Sequence, residues 1–261
     1  MTMQANTECR LCGMEITENV ILVNDITNNS DFYFYYCMDC DALTSQPFNR
    51  ENIYCRSEEN TNFTPKRNII VNTLKSLFVK FSIKRLLSNV SSGAKILDYG
   101  CGNGDVANNS KSLGYQTYAY DVQCDRPDTL LSEIPYFSSE NFSQGPDCYD
   151  VIILRHVLEH VPNPIQTIKM LATRLSDEGF MIVEVPNLNS IHRKYMGKRW
   201  TGYFAPYHEV VLSDTESLSK GIKRKILRPG IFHVKSLTPG DAKIENHASI
   251  IKNGCKLTSI D

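Results

Sequence analysis

Two sets of residues in this chain have the types and spacing to do chemistry. The first is Asp98-Tyr99-Gly100-Cys101-Gly102-Asn103-Gly104, an acid followed by three glycines at alternating positions. It lies between a β-type run, Lys95 to Tyr99, and a segment able to form a helix, Val106 to Leu113, so it reads as strand, tight turn and helix N-terminus. Glycine enters φ > 0 and lets a ligand approach the main chain closely, while the free N–H groups of a first helical turn attract negative or polar ligand groups. A nucleotide-like cofactor is the expected occupant. The second set is Cys9-x2-Cys12 and Cys37-x2-Cys40, separated by 24 residues. Four thiolates at that spacing can close tetrahedrally on Zn2+, each pair on a tight knuckle turn. With all four ligand positions filled by protein the zinc has no open place for a substrate, so its expected role is structural, as a zinc ribbon.

The glycine spacing separates two cofactor classes. A dinucleotide fingerprint is G-x-G-x-x-G, whereas this chain has D-x-G-x-G-x-G, and the Asp98 carboxylate would repel a pyrophosphate but suit a cation. Gly114 to Asp121 reads as a second strand ending in an acid, 17 residues beyond Gly104, where a carboxylate can accept both hydroxyls of a ribose. Cys148 to Leu154 has the apolar pattern of a buried strand and runs into Arg155-His156-Val157-Leu158-Glu159-His160-Val161-Pro162. These three motifs, in this order, resemble the class I S-adenosylmethionine-dependent methyltransferases. The resemblance implies S-adenosylmethionine as cofactor, with Asp98, Gly100, Cys101, Gly102 and Gly104 around its methionine end. It also implies Asp121 on the ribose, and Arg155 and His156 in the turn beside the cofactor. His156 to His160 also fits H-x-x-E-H, a zinc-peptidase signature, but that chemistry needs a stable helix, and Pro162 and Pro164 allow only a short turn.

The elements that must position these residues follow from periodicity. Thr64-Pro65 offers an N-cap and first helical residue, after which Ile70, Leu74, Leu77 and Phe81 form one stripe of a helix to about Leu87, opposite Lys66, Arg67, Lys75, Lys80 and Lys84. Pro164 to Leu175 reads as another helix, Asp177-Glu178-Gly179 as a turn, and Phe180 to Val185 as a fifth strand. Alternating strands and helices imply an α/β fold, a Rossmann-like, doubly wound and mostly parallel sheet. Residues 1–60 are expected to hold the ribbon and a linker, and residues 61–261 the methyltransferase domain. Between Val122 and Gln144, Pro127 and Pro135 interrupt the pattern and no adenine-binding residue stands out. Ile231 to Leu237 and Ala248 to Ile251 are read as a closing strand pair.

Asn187 to Val211 is a long segment rich in aromatic and basic residues, of the length that usually forms a lid or binding surface. Its Arg199-Trp200-Thr201-Gly202-Tyr203 and Pro206-Tyr207-His208, followed by a helix starting near Ser213, resemble the zinc-ribbon-bearing methyltransferases of sugar, polysaccharide and natural-product biosynthesis. That resemblance implies a small acceptor, sugar-linked or anionic, with a nucleotide-linked sugar among the candidates. It also implies a histidine base, which falls on His208. Tyr207 and Glu159 are the other candidates for the acceptor's proton. Beyond Leu218 the chain departs from the pattern, with the basic run Lys220-Gly221-Ile222-Lys223-Arg224-Lys225.

Composition narrows the rest. The chain has 261 residues, 41% hydrophobic and 22% charged, with a formal net charge of −1, which offers no global field for nucleic acid or an anionic membrane. An RNA methyltransferase gripping nucleic acid with the ribbon is therefore the lesser alternative, and the Asp-rich knuckle at Cys37 to Asp41 also opposes it. A degenerate protein that binds cofactor without catalysis is the other. Apolar runs of about four residues cannot span a bilayer, and the N-terminus lacks the layout of a signal peptide, so a cytoplasmic protein is expected. In that setting nine cysteines point to metal or core use and not to disulfides.

Overall fold

A computed structural model describes residues 7–25, 30–47, 69–213, 231–236, 249–251 and 257–259, with side chains through 7–25, 30–47 and 77–213. Its contacts group the chain into two units. One comprises Met1–Phe48, Arg155–Thr173 and Met181–Asp261, the other Asn49–Leu154 and Arg174–Phe180.

In the first unit, β1 (Thr7–Glu8) and β2 (Glu15–Ile16) pair antiparallel around the first cysteine knuckle. The knuckle is closed by Gly13 N–H to Cys9 O at 2.8 Å, with Gly13 at φ +76° where a side chain would be strained. Three further strands, β3 (Val20–Asn24), β4 (Asp31–Cys37) and β5 (Ala42–Ser45), form an antiparallel meander. A fourth strand joins from far along the chain: β11 (Val210–Leu212) pairs antiparallel with β5, Val210 opposite Thr44. The inner face shows why. Phe32, Phe34, Val23 and Leu43 of the meander are buried together with Leu188, Trp200, Tyr203, Ala205 and Val211. A ribbon of this size cannot bury enough apolar surface by itself, and the aromatic residues of the late loop complete its core. The boundary expected near residue 60 lies outside the described residues.

The second unit carries the glycine motif. Helix α1 (Ile69–Leu86) packs against α2 (Asp105–Ser112). Strand β6 (Lys95–Tyr99) is parallel to β7 (Gln116–Tyr120) on one side and to β9 (Tyr149–Arg155) on the other, with Leu97 opposite both Tyr118 and Ile152. The short β8 (Tyr136–Phe137) is parallel to β7. Two helices of the first unit, α3 (Pro164–Ala172) and α4 (Ile191–Met196), flank β10 (Leu175–Val185) in the chain, and β10 begins in the second unit and ends in the first. The sheet order is β10–β9–β6–β7–β8, the mostly parallel α/β sheet expected from the sequence. Beyond β10 lie β12 (Ile231–Ser236), β13 (Ser249–Ile251) and β14 (Leu257–Ser259), with β12–β13 and β13–β14 antiparallel.

Two local expectations need correction. The described core face of α1 is Val79 and Ile83, continued by Leu87 just past its end, while Leu77, Phe78 and Phe81 are more than half exposed. The helix is apolar on most sides, so two stripes of the same period compete and only packing chooses between them. The residues Asp177-Glu178-Gly179 do not turn but lie within β10, which starts at Leu175. Ser176 Oγ donates to Asp150 Oδ1 at 2.9 Å, and Tyr149 N–H donates to Arg174 O at 2.8 Å, fastening that early part to β9. Pro65, Lys66 and Arg67, the helix expected near Ser213, the basic run from Lys220, Cys55 and Cys255 lie outside the described residues. Among the described residues no helix is long and apolar enough to cross a membrane.

Candidate functional site

The glycine motif forms a cradle built mainly from backbone. Gly100, Gly102 and Gly104 have φ of 79°, 49° and 78°, which only glycine adopts without strain. The N–H groups of Gly100 and Cys101 both donate to Tyr120 O, at 2.7 and 2.9 Å, tying the loop to the end of β7. A Cβ at Gly104 would lie 2.8 Å from Leu130 Cδ1, whereas one at Gly102 would meet nothing within 4 Å. Gly102 is thus the open side of the loop, where a ligand can reach the main chain.

The two acids of the cradle are engaged. Asp121 Oδ2 accepts from Gly102 N–H at 2.9 Å and Oδ1 from Gln123 N–H at 3.4 Å, so the residue expected on a ribose also holds the glycine loop in shape. Asp98 is only 2% exposed, and its Oδ2 accepts from Ala107 N–H at 2.9 Å. Its negative charge therefore sits at the N-terminal turn of α2, where the helix dipole favours it. Beside them stands an aromatic wall that the sequence reading did not single out. Tyr99 and Tyr120 stack at 4.3 Å, and Phe142 meets their rings at 5.8 and 4.7 Å. Val122, directly after Asp121, leaves 56% of its apolar surface exposed. The available signal was the aromatic residue ending each of two adjacent parallel strands.

The first unit holds a second constellation, around the segment after β9. Arg155 Nε donates to Glu184 Oε2 at 2.9 Å, and His156 lies 3.2 Å from Glu159 Oε1 through Nδ1 and 3.3 Å from Glu184 Oε1 through Nε2. Hydrogen bonds to Glu159 and then Glu184 push the His156 pKa up to about 9, so both ring nitrogens carry protons at neutral pH. His156 has φ 55°, a left-handed conformation costly for a side-chain-bearing residue, and its N–H is held by Glu184 O at 2.8 Å. Glu184, which no motif flags, is the centre of this network. Burial pushes the Glu184 carboxyl up, but hydrogen bonds from His156 and Arg155 outweigh that and hold it below the ordinary range.

Leu158–His160 forms a single 3-10 turn, so the H-x-x-E-H residues are not on the helix a peptidase requires. The turn brings Glu159 and His160 to His208. His160 Nδ1 lies 3.0 Å from Tyr207 O, His208 Nδ1 lies 2.8 Å from Gly202 O, and the two rings meet edge to face at 4.6 Å. A carbonyl oxygen only accepts, so in both rings Nδ1 carries the hydrogen and a neutral ring offers its lone pair at Nε2. His208 is 6% exposed, and burial pushes its pKa down to about 4, leaving the imidazole neutral at physiological pH. Glu159 is 1% exposed and its Oε2 has no hydrogen-bond partner. Its neighbour in space, Glu209, donates its N–H to Glu159 O at 2.6 Å and pairs through its carboxylate with Arg10 Nη2 at 3.0 Å. Arg10 lies inside the first cysteine knuckle, and its Nη1 also donates to Pro162 O at 3.3 Å.

The four knuckle cysteines converge: the Sγ atoms of Cys9, Cys12, Cys37 and Cys40 lie within 4.8 Å of one another. Cys12 and Cys37 Sγ are 3.8 Å apart, matching the separation of about 3.8 Å between sulfurs of a regular tetrahedron with Zn–S bonds of about 2.3 Å. The donor set fits zinc. Cys101 is buried behind the cradle, and Cys124 and Cys148 are exposed, away from any such group.

Comparison with known proteins agrees with this geometry. Residues 77–220, more than half of the chain, match the methyltransferase domain family Methyltransf_23. The ubiquinone biosynthesis O-methyltransferase of Rickettsia bellii (strain OSU 85-389) is 29% identical over 132 residues, covering 45% of this chain and 53% of the relative. That of Aliivibrio fischeri (strain MJ11) is 26% identical over 107 residues, covering 37% and 46%. The chain spans about half the length of the curated relatives it matches. Among solved structures, magnesium protoporphyrin IX methyltransferase from Synechocystis PCC 6803 with bound SAH aligns with a TM-score of 0.47 at 15% identity, over 70% of this chain and 93% of that one. A SAM-dependent methyltransferase from Archaeoglobus fulgidus aligns at 0.46 and 21% identity, over 66% and 79%. Given the strand–glycine loop–helix cradle, the parallel sheet that carries it and the family match across it, the chain belongs to the methyltransferase domain family.

Proposed function

We propose that this enzyme transfers the methyl group of S-adenosylmethionine to a hydroxyl of a small, anionic or sugar-linked acceptor in the cytoplasm. The observation that carries the anionic character is the segment between β10 and β11. From Asn187 to His208 it has four cations, Arg193, Lys194, Lys198 and Arg199, and no acid. Lys194, Lys198 and Arg199 are exposed, and Tyr195 beside them is 84% exposed. Such a surface attracts a phosphate or carboxylate and offers an aromatic face to the rest of the molecule. Oxygen as the methylated atom is supported by the relatives' name of O-methyltransferase.

In this reading Gly100, Cys101, Gly102 and Gly104 hold the methionine end of the cofactor, with Asp98 fixing the loop onto α2. Asp121 takes the ribose. Arg155 and His156 contribute through the turn that they and Glu184 stabilise, and Cys9, Cys12, Cys37 and Cys40 hold a structural Zn2+. The reaction is an in-line displacement at a methyl already activated by the sulfonium, so the protein has to align the acceptor and draw a proton from its hydroxyl. We assign that end of the reaction to Glu159, Tyr207 and His208, where His208 contributes its Nε2 lone pair. The test is formation of S-adenosylhomocysteine with a panel of hydroxylated acceptors, phosphorylated, carboxylated and neutral, alongside calorimetry of S-adenosylmethionine and NAD. Turnover confined to neutral acceptors would sink the anionic reading; NAD binding in place of S-adenosylmethionine would sink the whole.

A further inference from the structure

The cluster of Glu159, His160 and His208 poses an electrostatic problem. Each Nδ1–H is committed to a main-chain carbonyl, His160 to Tyr207 O at 3.0 Å and His208 to Gly202 O at 2.8 Å. Nε2 of each ring, a lone-pair acceptor when the ring is neutral, therefore faces away from those carbonyls. Glu159 adds a third acceptor, its buried Oε2, which has no donor. The ligand atoms of the three residues lie within 4.8 Å of one another. Acceptor atoms gathered this closely repel, and a buried carboxylate oxygen without a partner is costly. His156 meets only Oε1, so a further positive group is called for at Oε2. A proton on His208 is a poor candidate, since that ring is 6% exposed and packed at 5.4 Å against Phe204.

We infer that Glu159 Oε2, His160 Nε2 and His208 Nε2 bind a divalent first-row transition cation of the Zn2+ type, at a site distinct from the four-cysteine knuckle. Two imidazoles and one carboxylate are a borderline donor set, suited to Zn2+, Co2+ or Fe2+ and ill suited to Ca2+ or Mg2+. The surroundings have the features of a built metal site. Ligating histidines in proteins characteristically donate their other N–H to a carbonyl or carboxylate, which fixes tautomer and ring orientation, and both histidines do so here. Glu159 has its second oxygen, Oε1, occupied by His156 Nδ1 at 3.2 Å, which aims Oε2 at the cluster. The chain fixes the spacing of its two parts: Glu159 and His160 share one 3-10 turn, and Glu209, next to His208, donates its N–H to Glu159 O at 2.6 Å. With three protein ligands the cation keeps a position open. This inference rests on the reading of Glu159, Tyr207 and His208 as the acceptor's end, and it names the group that an acceptor hydroxyl would meet there. His208 is then a ligand and not itself the base.

The experiment uses the full chain. Protein purified without chelator and loaded with Zn2+ is dialysed against a weak chelator to clear loosely held metal, then titrated with Zn2+ and, in parallel, Co2+. The expected result is one tightly held equivalent that survives dialysis and a second that returns on titration. The second Co2+ should give d–d absorption without the thiolate-to-cobalt charge-transfer band. His208→Gln and His160→Gln should each weaken the second equivalent by more than the roughly 10–100-fold seen when only an outer partner of a metal ligand is lost. The first equivalent and S-adenosylmethionine affinity should stay unchanged. His160 is partly exposed, so its variant reports on the site even where His208→Gln fails to fold. A stoichiometry that never exceeds one, or a second equivalent untouched by both variants, overturns the inference while leaving the methyltransferase reading standing. Failure of the unmodified protein to bind S-adenosylmethionine would instead strike that reading.

Discussion

The cradle around Gly102 and the cluster around His208 are built by opposite means. The cradle is local: Asp98 to Asp121 is one strand, one loop, one helix and one strand, and its hydrogen bonds come largely from main-chain N–H groups. The cluster is assembled across long stretches of chain. His160 meets Tyr207 47 positions away, and Arg10 reaches Pro162 across 152 positions. Its late segment is a strand of the ribbon's own sheet. The ribbon is therefore more than an appendage, because its core includes Trp200 and Tyr203, close in sequence to His208. The contrast implies that the cradle should tolerate damage to the ribbon and the cluster should not.

Cys37→Ser breaks the comparison most severely. A structural zinc supplies on the order of 10 kcal/mol to domains of this size, so losing a ligand should unfold the ribbon and the strand paired to it. Methyl transfer should fall by roughly 100-fold or more, the size of loss typical when the groups handling the proton are displaced. Cofactor affinity by calorimetry should change little. Loss of both together would show that the two regions are not separable. Arg10→Ala is milder and leaves zinc alone. It removes the guanidinium that pairs with the Glu209 carboxylate, 2% exposed. Breaking a buried pair costs about 3–5 kcal/mol, and with Arg10 itself 19% exposed we expect about 2–3. Denaturant unfolding measures this, and a change under 1 kcal/mol would deny Arg10 its bridging role.

The cradle is tested from the other side by Asp121→Ala. Two hydroxyl contacts worth about 0.5–1.5 kcal/mol each, together with the hold on Gly102 N–H, predict a loss of S-adenosylmethionine affinity of roughly 10- to 100-fold. Global stability should be nearly unchanged, because the carboxylate is partly solvated. An unaltered dissociation constant would remove Asp121 from the cofactor's ribose.

Legibility in the sequence follows the same divide. The glycine loop, the alternation of strands and helices and the paired cysteines can be read because each is set by residues a few positions apart whose backbone or ligand chemistry allows few alternatives. Leu77 and Phe81 could not be told from Val79 and Ile83 as the core face of α1, since both stripes have helical period and only tertiary packing breaks the tie. Asp177-Glu178-Gly179 has turn composition, yet the pairing of β10 with β9 overrides it. The ribbon's dependence on Trp200 and Tyr203, the Arg10–Glu209 pair and the role of Glu184 are long-range facts. Arg10 looks like any charged knuckle residue, and Glu184 like a polar interruption in an apolar strand. Nothing adjacent to either one announces its partner.

Glu184 also gives the smallest test. Its carboxylate accepts from Arg155 Nε at 2.9 Å and lies 3.3 Å from His156 Nε2, while its main-chain carbonyl accepts from His156 N–H at 2.8 Å. Glu184→Gln keeps the shape but removes the negative charge and replaces one of the two accepting oxygens with an NH2 that faces a donor, a loss of about 1–2 kcal/mol near pH 7. The sign of its pH dependence is fixed by the direction of the shift. The folded carboxyl titrates below its ordinary value of 4.5, so its contribution is fully present above that value and is lost as pH falls through the lower folded value. The stability gap between the native protein and Glu184→Gln should therefore hold steady from pH 7 to about 5 and narrow as the pH falls further. Urea unfolding at pH 7, 5, 4 and 3 reads this out. A gap of the same size at pH 3 would mean that the substitution acts through packing, and that the Arg155–Glu184–His156 network does not hold the turn by charge.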